Sequence, residues 1–196
     1  MSARGRWVVL LGPDGCGKSS VISGLLRAPA QGYAAVEARH YRPGARWGAG
    51  GPVTHPHGKP PRGPLGSALK LAYDVARFRA AHRADVRPRV EAGELVVFDR
   101  YFHDLLADPL RYRYGGPAWL ARLAGRLVPA PDLFVVLDAP PEVLQARKRE
   151  VPPGESARAR AAYRALARAL PRAAVVDGAR ALPEVVREVA VLVRAL

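Results

Sequence analysis

Residues 7–20 read WVVLLGPDGCGKSS, and the fold follows from how this stretch is built. Trp7 to Leu11 form a continuous apolar run with no polar alternation, ended by Gly12-Pro13, the pattern of a strand buried on both faces. Beyond the glycines, Val21, Ile22, Leu25 and Leu26 recur at helical spacing. The turn between strand and helix matches G-x-x-x-x-G-K-[ST] at Gly12, Gly17, Lys18 and Ser19. Such a turn curls successive backbone N–H groups around phosphate oxygens, and side chains at Gly12, Gly15 or Gly17 would block that approach. The helix N-terminus adds partial positive charge.

The loop therefore predicts a nucleotide triphosphate donor, ATP, cradled by Gly12, Asp14, Gly15, Cys16, Gly17, Lys18, Ser19 and Ser20. Lys18 is expected to neutralise the β- and γ-phosphates, and the Ser19 hydroxyl to ligate Mg²⁺. Ser20 reads as a first-turn helix residue. Cys16 reads as a small packing side chain. The other lysines are Lys59, Lys70 and Lys148, which makes the lysine at this position stand out against a plain glycine-rich turn.

A chain of 196 residues suits one α/β domain with a sizeable core, here expected over 1–196. No apolar stretch is long enough to span a bilayer, and the N-terminus lacks the apolar core of a signal peptide, so a cytoplasmic setting and no membrane partner are expected. Cys16, the only cysteine, excludes an intramolecular disulfide and a cysteine metal cluster. The net charge of +14 and pI near 10.9 come mostly from arginine spread along the chain. They predict affinity for polyanions, nucleotides included, without a specific nucleic-acid partner.

Further apolar segments recur at 34–41, 95–98, 133–137 and 173–176, with helical stretches expected near 18–28, 65–92, 116–127, 140–150, 156–170 and 182–195. Alternation of this kind predicts a parallel sheet layered between helices. Two stretches interrupt it. Residues 43–64 are too rich in Gly and Pro for regular structure and predict a mobile loop near the substrate. His55 and His57 within it lack acidic or cysteine partners for a metal site. Residues 147–160 place a Pro-Pro-Gly hinge between basic helical segments, as expected of an arginine-bearing lid, or of a plain helix-turn-helix with solvated arginines.

A phosphate loop does not by itself separate a kinase from a GTPase. The discriminating stretch is 94–104, ELVVFDRYFHD. Val96, Val97 and Phe98 read as a buried strand, so Asp99 and Arg100 emerge at its C-terminal end, where open α/β sheets bind ligands. If that strand neighbours the first, Asp99 faces the Mg²⁺ held by Ser19.

These residues resemble the thymidylate kinase family of nucleoside monophosphate kinases. The matching pieces are GPDGCGKSS, YRP at 41–43, FDRY, PDLFVVLDAPPEVLQARKRE and AAVVDGARALPEVVREV, in the family's order across almost the whole chain. The resemblance implies a P-loop NTPase fold with a five-stranded parallel sheet and a short arginine-bearing lid, and transfer of the ATP γ-phosphoryl group to a nucleoside monophosphate. By position it implies that Asp99 organises Mg²⁺ and acceptor, that Arg100 and Arg42 clamp the acceptor phosphate, and that Arg147, Lys148 and Arg149 are lid residues. Arg147 and Arg149 join Lys18, Asp99 and Arg100 as the expected catalytic set. Homodimers are common in the family.

The sequence also departs from the family. Where the family follows D-R-Y with a serine-rich stretch and A-Y-Q, this chain has FHDLLADPLRYRYGGP, so the acceptor need not be thymidylate. His103, Asp104, Asp108, Arg111, Tyr112, Arg113 and Tyr114 stand there instead. Arg111 and Tyr112 are expected to bind a phosphate and stack a ring, and Arg79 with Phe78 to contact the base. Two alternatives stay open: a P-loop kinase of a nucleoside, sugar or other small metabolite, and a catalytically degenerate nucleotide-binding regulator.

Overall fold

The computed structural model describes residues 4–28, 32–40, 60–147 and 153–196. Arg42, His55, His57, Lys148 and Arg149, with most of the expected loop and Pro152 of the expected hinge, lie outside them; Pro153 and Gly154 of that hinge open a helix. The elements run β1 (Arg6–Leu11), α1 (Lys18–Arg27), β2 (Val36–His40), α2 (Pro64–Ala81), α3 (Arg87–Glu91), β3 (Leu95–Asp99), α4 (Asp104–Ala107), α5 (Ala118–Leu127), β4 (Leu133–Asp138), α6 (Pro141–Arg147), α7 (Pro153–Ala169), β5 (Ala173–Asp177) and α8 (Leu182–Arg194).

The five strands form one parallel sheet in the order β2-β3-β1-β4-β5. Alternation along β1 explains why its sequence is apolar throughout. Trp7, Val9 and Leu11 enter a core with Phe98, Phe134, Phe78 and Tyr163, while Val8 and Leu10 enter a second core with Val21, Ile22, Leu137 and Val189. Each such buried side chain contributes roughly 1.5–3 kcal/mol of transfer free energy. Both cores therefore depend on β1 lying mid-sheet. Its register pairs Leu10 with Asp99 and Leu11 with Val136, which brings the loop after β1 between the ends of β3 and β4.

The helix expected over 65–92 is interrupted. α2 passes into a π-helical turn at His82–Val86 before α3, and the Arg87 N–H closes an i−5 bond to the His82 carbonyl. Pro88 explains the break, since it has no N–H to donate and its ring collides with the carbonyl four residues earlier in a regular helix. α4 was absent from the sequence expectation because one turn of helix carries too little periodicity to read.

Candidate active site

Gly12, Gly15 and Gly17 all adopt positive φ, at 143°, 85° and 98°. A Cβ on Gly12 would lie 2.5 Å from the Leu137 carbonyl oxygen, and one on Gly15 2.8 Å from that of Leu144. Glycine is thus required here by packing against β4 and α6 as well as by the open path to phosphate. Lys18 is buried, and its Nζ donates to the carbonyls of Gly12 (2.7 Å) and Pro13 (2.9 Å) and lies 3.5 Å from Cys16 Sγ. Cys16 is itself buried, in keeping with a packing role. Ser19 and Ser20 are exposed in the first turn of α1.

Asp99 and Arg100 emerge beside this loop because β3 pairs with β1. Asp99 is buried, and its Oδ1 has no hydrogen-bond partner among the described residues. A buried carboxylate oxygen left unpaired is costly and suits a hard cation, so Asp99 with the Ser19 hydroxyl fits Mg²⁺. Among the described residues no cluster of three or more His, Cys, Asp or Glu suits a metal.

Arg100 adopts φ 68°, a conformation that costs a non-glycine residue about 1–2 kcal/mol. Its guanidinium overcomes that cost through three partners. Nη1 donates to Asp104 Oδ1 (2.9 Å) and to the Tyr163 hydroxyl (3.0 Å), and Nη2 pairs with Asp14. Burial disfavours the charge, but Tyr163, Asp104, Tyr112 and Asp14 outweigh it and raise the Arg100 pKa well above its usual value. Arg111 also pairs with Asp14, and with Asp108 at 3.4 Å. Two arginines therefore converge on one carboxylate of the phosphate loop. Asp14, expected with the donor phosphates, pairs with both arginines.

Next to this cluster a cavity of about 280 Å³ is lined by Leu71, Phe78, Leu105, Tyr73, Tyr112 and Tyr114, with Arg62, Lys70, Arg77 and Arg113 and the single carboxylate Asp74. Asp74 is buried and paired with Lys70. Tyr112 lines this cavity. Phe78 lines the cavity but also packs edge-on against Tyr101 and Phe102 at 4.8 and 6.0 Å, so it is part of the core. Arg79 requires correction. It is exposed, donates to the Leu127 carbonyl at 3.0 Å and is not among the lining residues; Arg77, two residues earlier on α2, is. Helix phase, about 100° per residue, separates the two. Arg111 binds carboxylates and does not line the cavity.

On the donor side, Arg147 Nη1 donates to the Gly178 carbonyl at 2.7 Å and would lie 3.9 Å from a Cβ on Gly17. Arg160 holds Asp138 in a two-point contact (2.7 and 2.9 Å), and Arg164 adds a third bond at 3.0 Å. Hydrogen bonding from Arg160, reinforced by Arg164, lowers the Asp138 pKa against the effect of burial. Arg160, Arg164 and Tyr163 were not singled out from the sequence. α7 is rich in Ala and Arg, and only its tertiary neighbours tell its arginines apart.

No protein-family model matches the chain. A probable thymidylate kinase of Pyrobaculum aerophilum is 31% identical over 151 residues, covering 74% of this chain and 70% of that one. The chain belongs to the thymidylate kinase family. It is by class an ATP-dependent nucleoside monophosphate kinase. Within the family, a thymidylate kinase of Xanthomonas campestris pv. campestris is 35% identical over 108 residues, 46% of this chain and 45% of that one. A crystal structure of a thymidylate kinase from Ehrlichia chaffeensis (TM-score 0.62, 18% identity, 97% of this chain and 98% of that one) and a structure of one from Candida albicans (TM-score 0.65, 15% identity, 100% and 93%) share the fold. The P-loop NTPase architecture expected from the sequence is thus the one observed.

Proposed function

We propose that this kinase moves the ATP γ-phosphoryl group onto the phosphate of a nucleoside monophosphate bound between Arg100 and the 280 Å³ cavity. The supporting observation is that Arg100 and Arg111 both pair with Asp14 of the phosphate loop, while Tyr112, next to Arg111 in the chain, lines the cavity. An acceptor phosphate oxygen attacks the γ-phosphorus while the bond to the β,γ-bridging oxygen breaks, releasing ADP and a nucleoside diphosphate. The protein supplies position and charge for such a transfer and no covalent nucleophile. Lys18 gives charge to the β- and γ-phosphates, and Arg147, with Arg149, to the transferring group. Arg42 joins Arg100 at the acceptor. Mg²⁺, which would neutralise developing phosphate charge when bound, is assigned to Ser19 and Asp99.

The cavity lining, where Arg62, Lys70, Arg77 and Arg113 outnumber one carboxylate, suits an anionic acceptor such as a nucleoside monophosphate. The same reading takes 1–196 as a single kinase domain with 147–160 as the lid, in a cytoplasmic homodimer. No described helix is long and apolar enough to cross a membrane. ATP consumption across nucleoside monophosphates, nucleosides and sugar phosphates tests the assignment, with Lys18→Ala as control. The expected result is turnover of a nucleoside monophosphate, lost in Lys18→Ala. Turnover of an unphosphorylated acceptor alone, or none with intact ATP binding, would move the protein to a metabolite kinase or a regulator.

A further inference from the structure

Arg100 is held from behind by two residues that the phosphoryl transfer does not itself need. Asp104 is fully buried, and its two oxygens are divided. Oδ2 accepts the Tyr101 N–H at 2.8 Å, and Oδ1 accepts from both Arg100 Nη1 (2.9 Å) and the Tyr163 hydroxyl (2.5 Å). Tyr163 is 2% exposed and lies on α7. Its oxygen donates to Asp104 and accepts from Arg100. Burial and the neighbouring Asp104 raise the Tyr163 pKa well above its usual value, so the hydroxyl keeps the proton it donates. The result is a closed ring of three bonds in a dry environment, where each bond is stronger and each loss costlier than in water.

α7 is anchored on either side of Tyr163. Arg160 and Arg164 bind Asp138 at the end of β4, the strand that pairs with β1. Tyr163 thus connects the acceptor arginine to a helix braced against the same sheet edge that carries the phosphate loop. Asp104 falls within the stretch where the chain departs from its family's serine-rich pattern. We propose that Tyr163 and Asp104 are a positioning pair that fixes the Arg100 guanidinium for the acceptor phosphate and braces it through α7. This rests on the assignment of Arg100 to that phosphate.

The test compares thymidylate with thymidine, which differ only in the phosphate, as ligands of the ADP-bound protein by calorimetry. The ratio of the two dissociation constants isolates the phosphate's share of binding. Tyr163→Phe keeps the ring and removes the hydroxyl, and it is expected to shrink that ratio by about tenfold while leaving ADP affinity within about twofold. In an Arg100→Lys background the same change is expected to have no further effect, since Tyr163 acts through the guanidinium. Asp104→Asn, close in shape, is expected to shrink the ratio similarly, and it stands in if Tyr163→Phe does not fold. A purely structural tyrosine would lower the unfolding midpoint and weaken thymidine and thymidylate alike, which overturns the proposal. If Arg100→Lys shrinks the ratio and neither Tyr163→Phe nor Asp104→Asn does, the positioning pair is refuted while the site assignment stands. If the ratio is near one in the unaltered protein, or insensitive to Arg100→Lys, the site assignment fails and the proposal with it.

Discussion

Acidification should destabilise this protein through one buried imidazole well before its paired carboxylates titrate. His103 follows the Asp99-Arg100-Tyr101-Phe102 segment. Its ring packs against Phe134 (4.9 Å), Tyr101 (5.7 Å) and Phe102 (6.1 Å), and its Nδ1 has no hydrogen-bond partner among the described residues. Burial pushes its pKa down to about 4, with a weaker opposing contribution from a backbone hydrogen bond at Gly125. Between that value and the unfolded one near 6.5, the unfolded chain takes up a proton that the native ring refuses. Stability therefore falls as pH drops from about 6.5 towards 4. The gap corresponds to roughly 3 kcal/mol at the lower limit, a large share of the roughly 5–15 kcal/mol typical of a folded domain. Asp85 and Asp138 are held below the usual carboxylate range by Arg39 and Arg160, and their contributions are lost only below that window. Urea unfolding at steps between pH 7 and 4 measures the slope, and His103→Phe, which keeps an aromatic ring but has no titrating nitrogen, should flatten most of it. An unchanged slope in His103→Phe, or an imidazole that titrates near 6.5 by NMR in the folded protein, would refute the reasoning.

The glycines of the phosphate loop should separate in cost. Gly12→Ala meets both a positive φ and the Leu137 carbonyl oxygen at 2.5 Å, whereas Gly17→Ala meets only the φ, its nearest neighbour being 3.9 Å away. Unfolding free energies should fall by about 2–5 kcal/mol for the first and about 1–2 kcal/mol for the second; equal losses would contradict the packing account. Lys18→Ala removes the amine that bridges the Gly12 and Pro13 carbonyls. Single-turnover assays should show transfer reduced by at least about 10³-fold, with the melting temperature showing a fold that persists. Arg147→Ala should lower kcat at least about tenfold, near 1.4 kcal/mol of transition-state stabilisation, and change ATP affinity by less than about threefold. The reverse split would assign Arg147 to ATP binding alone.

Elements whose encoding is local can be read straight from neighbouring residues. A buried strand announces itself in the unbroken run from Trp7 to Leu11, and a phosphate loop in the spacing of Gly12, Gly17, Lys18 and Ser19, because backbone conformation and burial on both faces are written in neighbouring residues. Asp99 and Arg100 were legible for the same reason, as the polar end of an apolar strand. Their meeting with the loop was conditional until the sheet order placed β3 beside β1. The rest depended on side chains distant in sequence. Whether Arg77 or Arg79 reaches the cavity is a matter of helix phase relative to α5, and phase is ambiguous where arginines stand two apart and both turns are mostly solvated. The stapling of Asp14 by Arg100 and Arg111, 86 and 97 residues away, and the burial of Tyr163 against Asp104, 59 residues away, have no local signature. An arginine or tyrosine looks the same in sequence whether it is solvated or holds a buried carboxylate, and only the tertiary packing that excludes water around it decides which interaction its charge or hydroxyl must make.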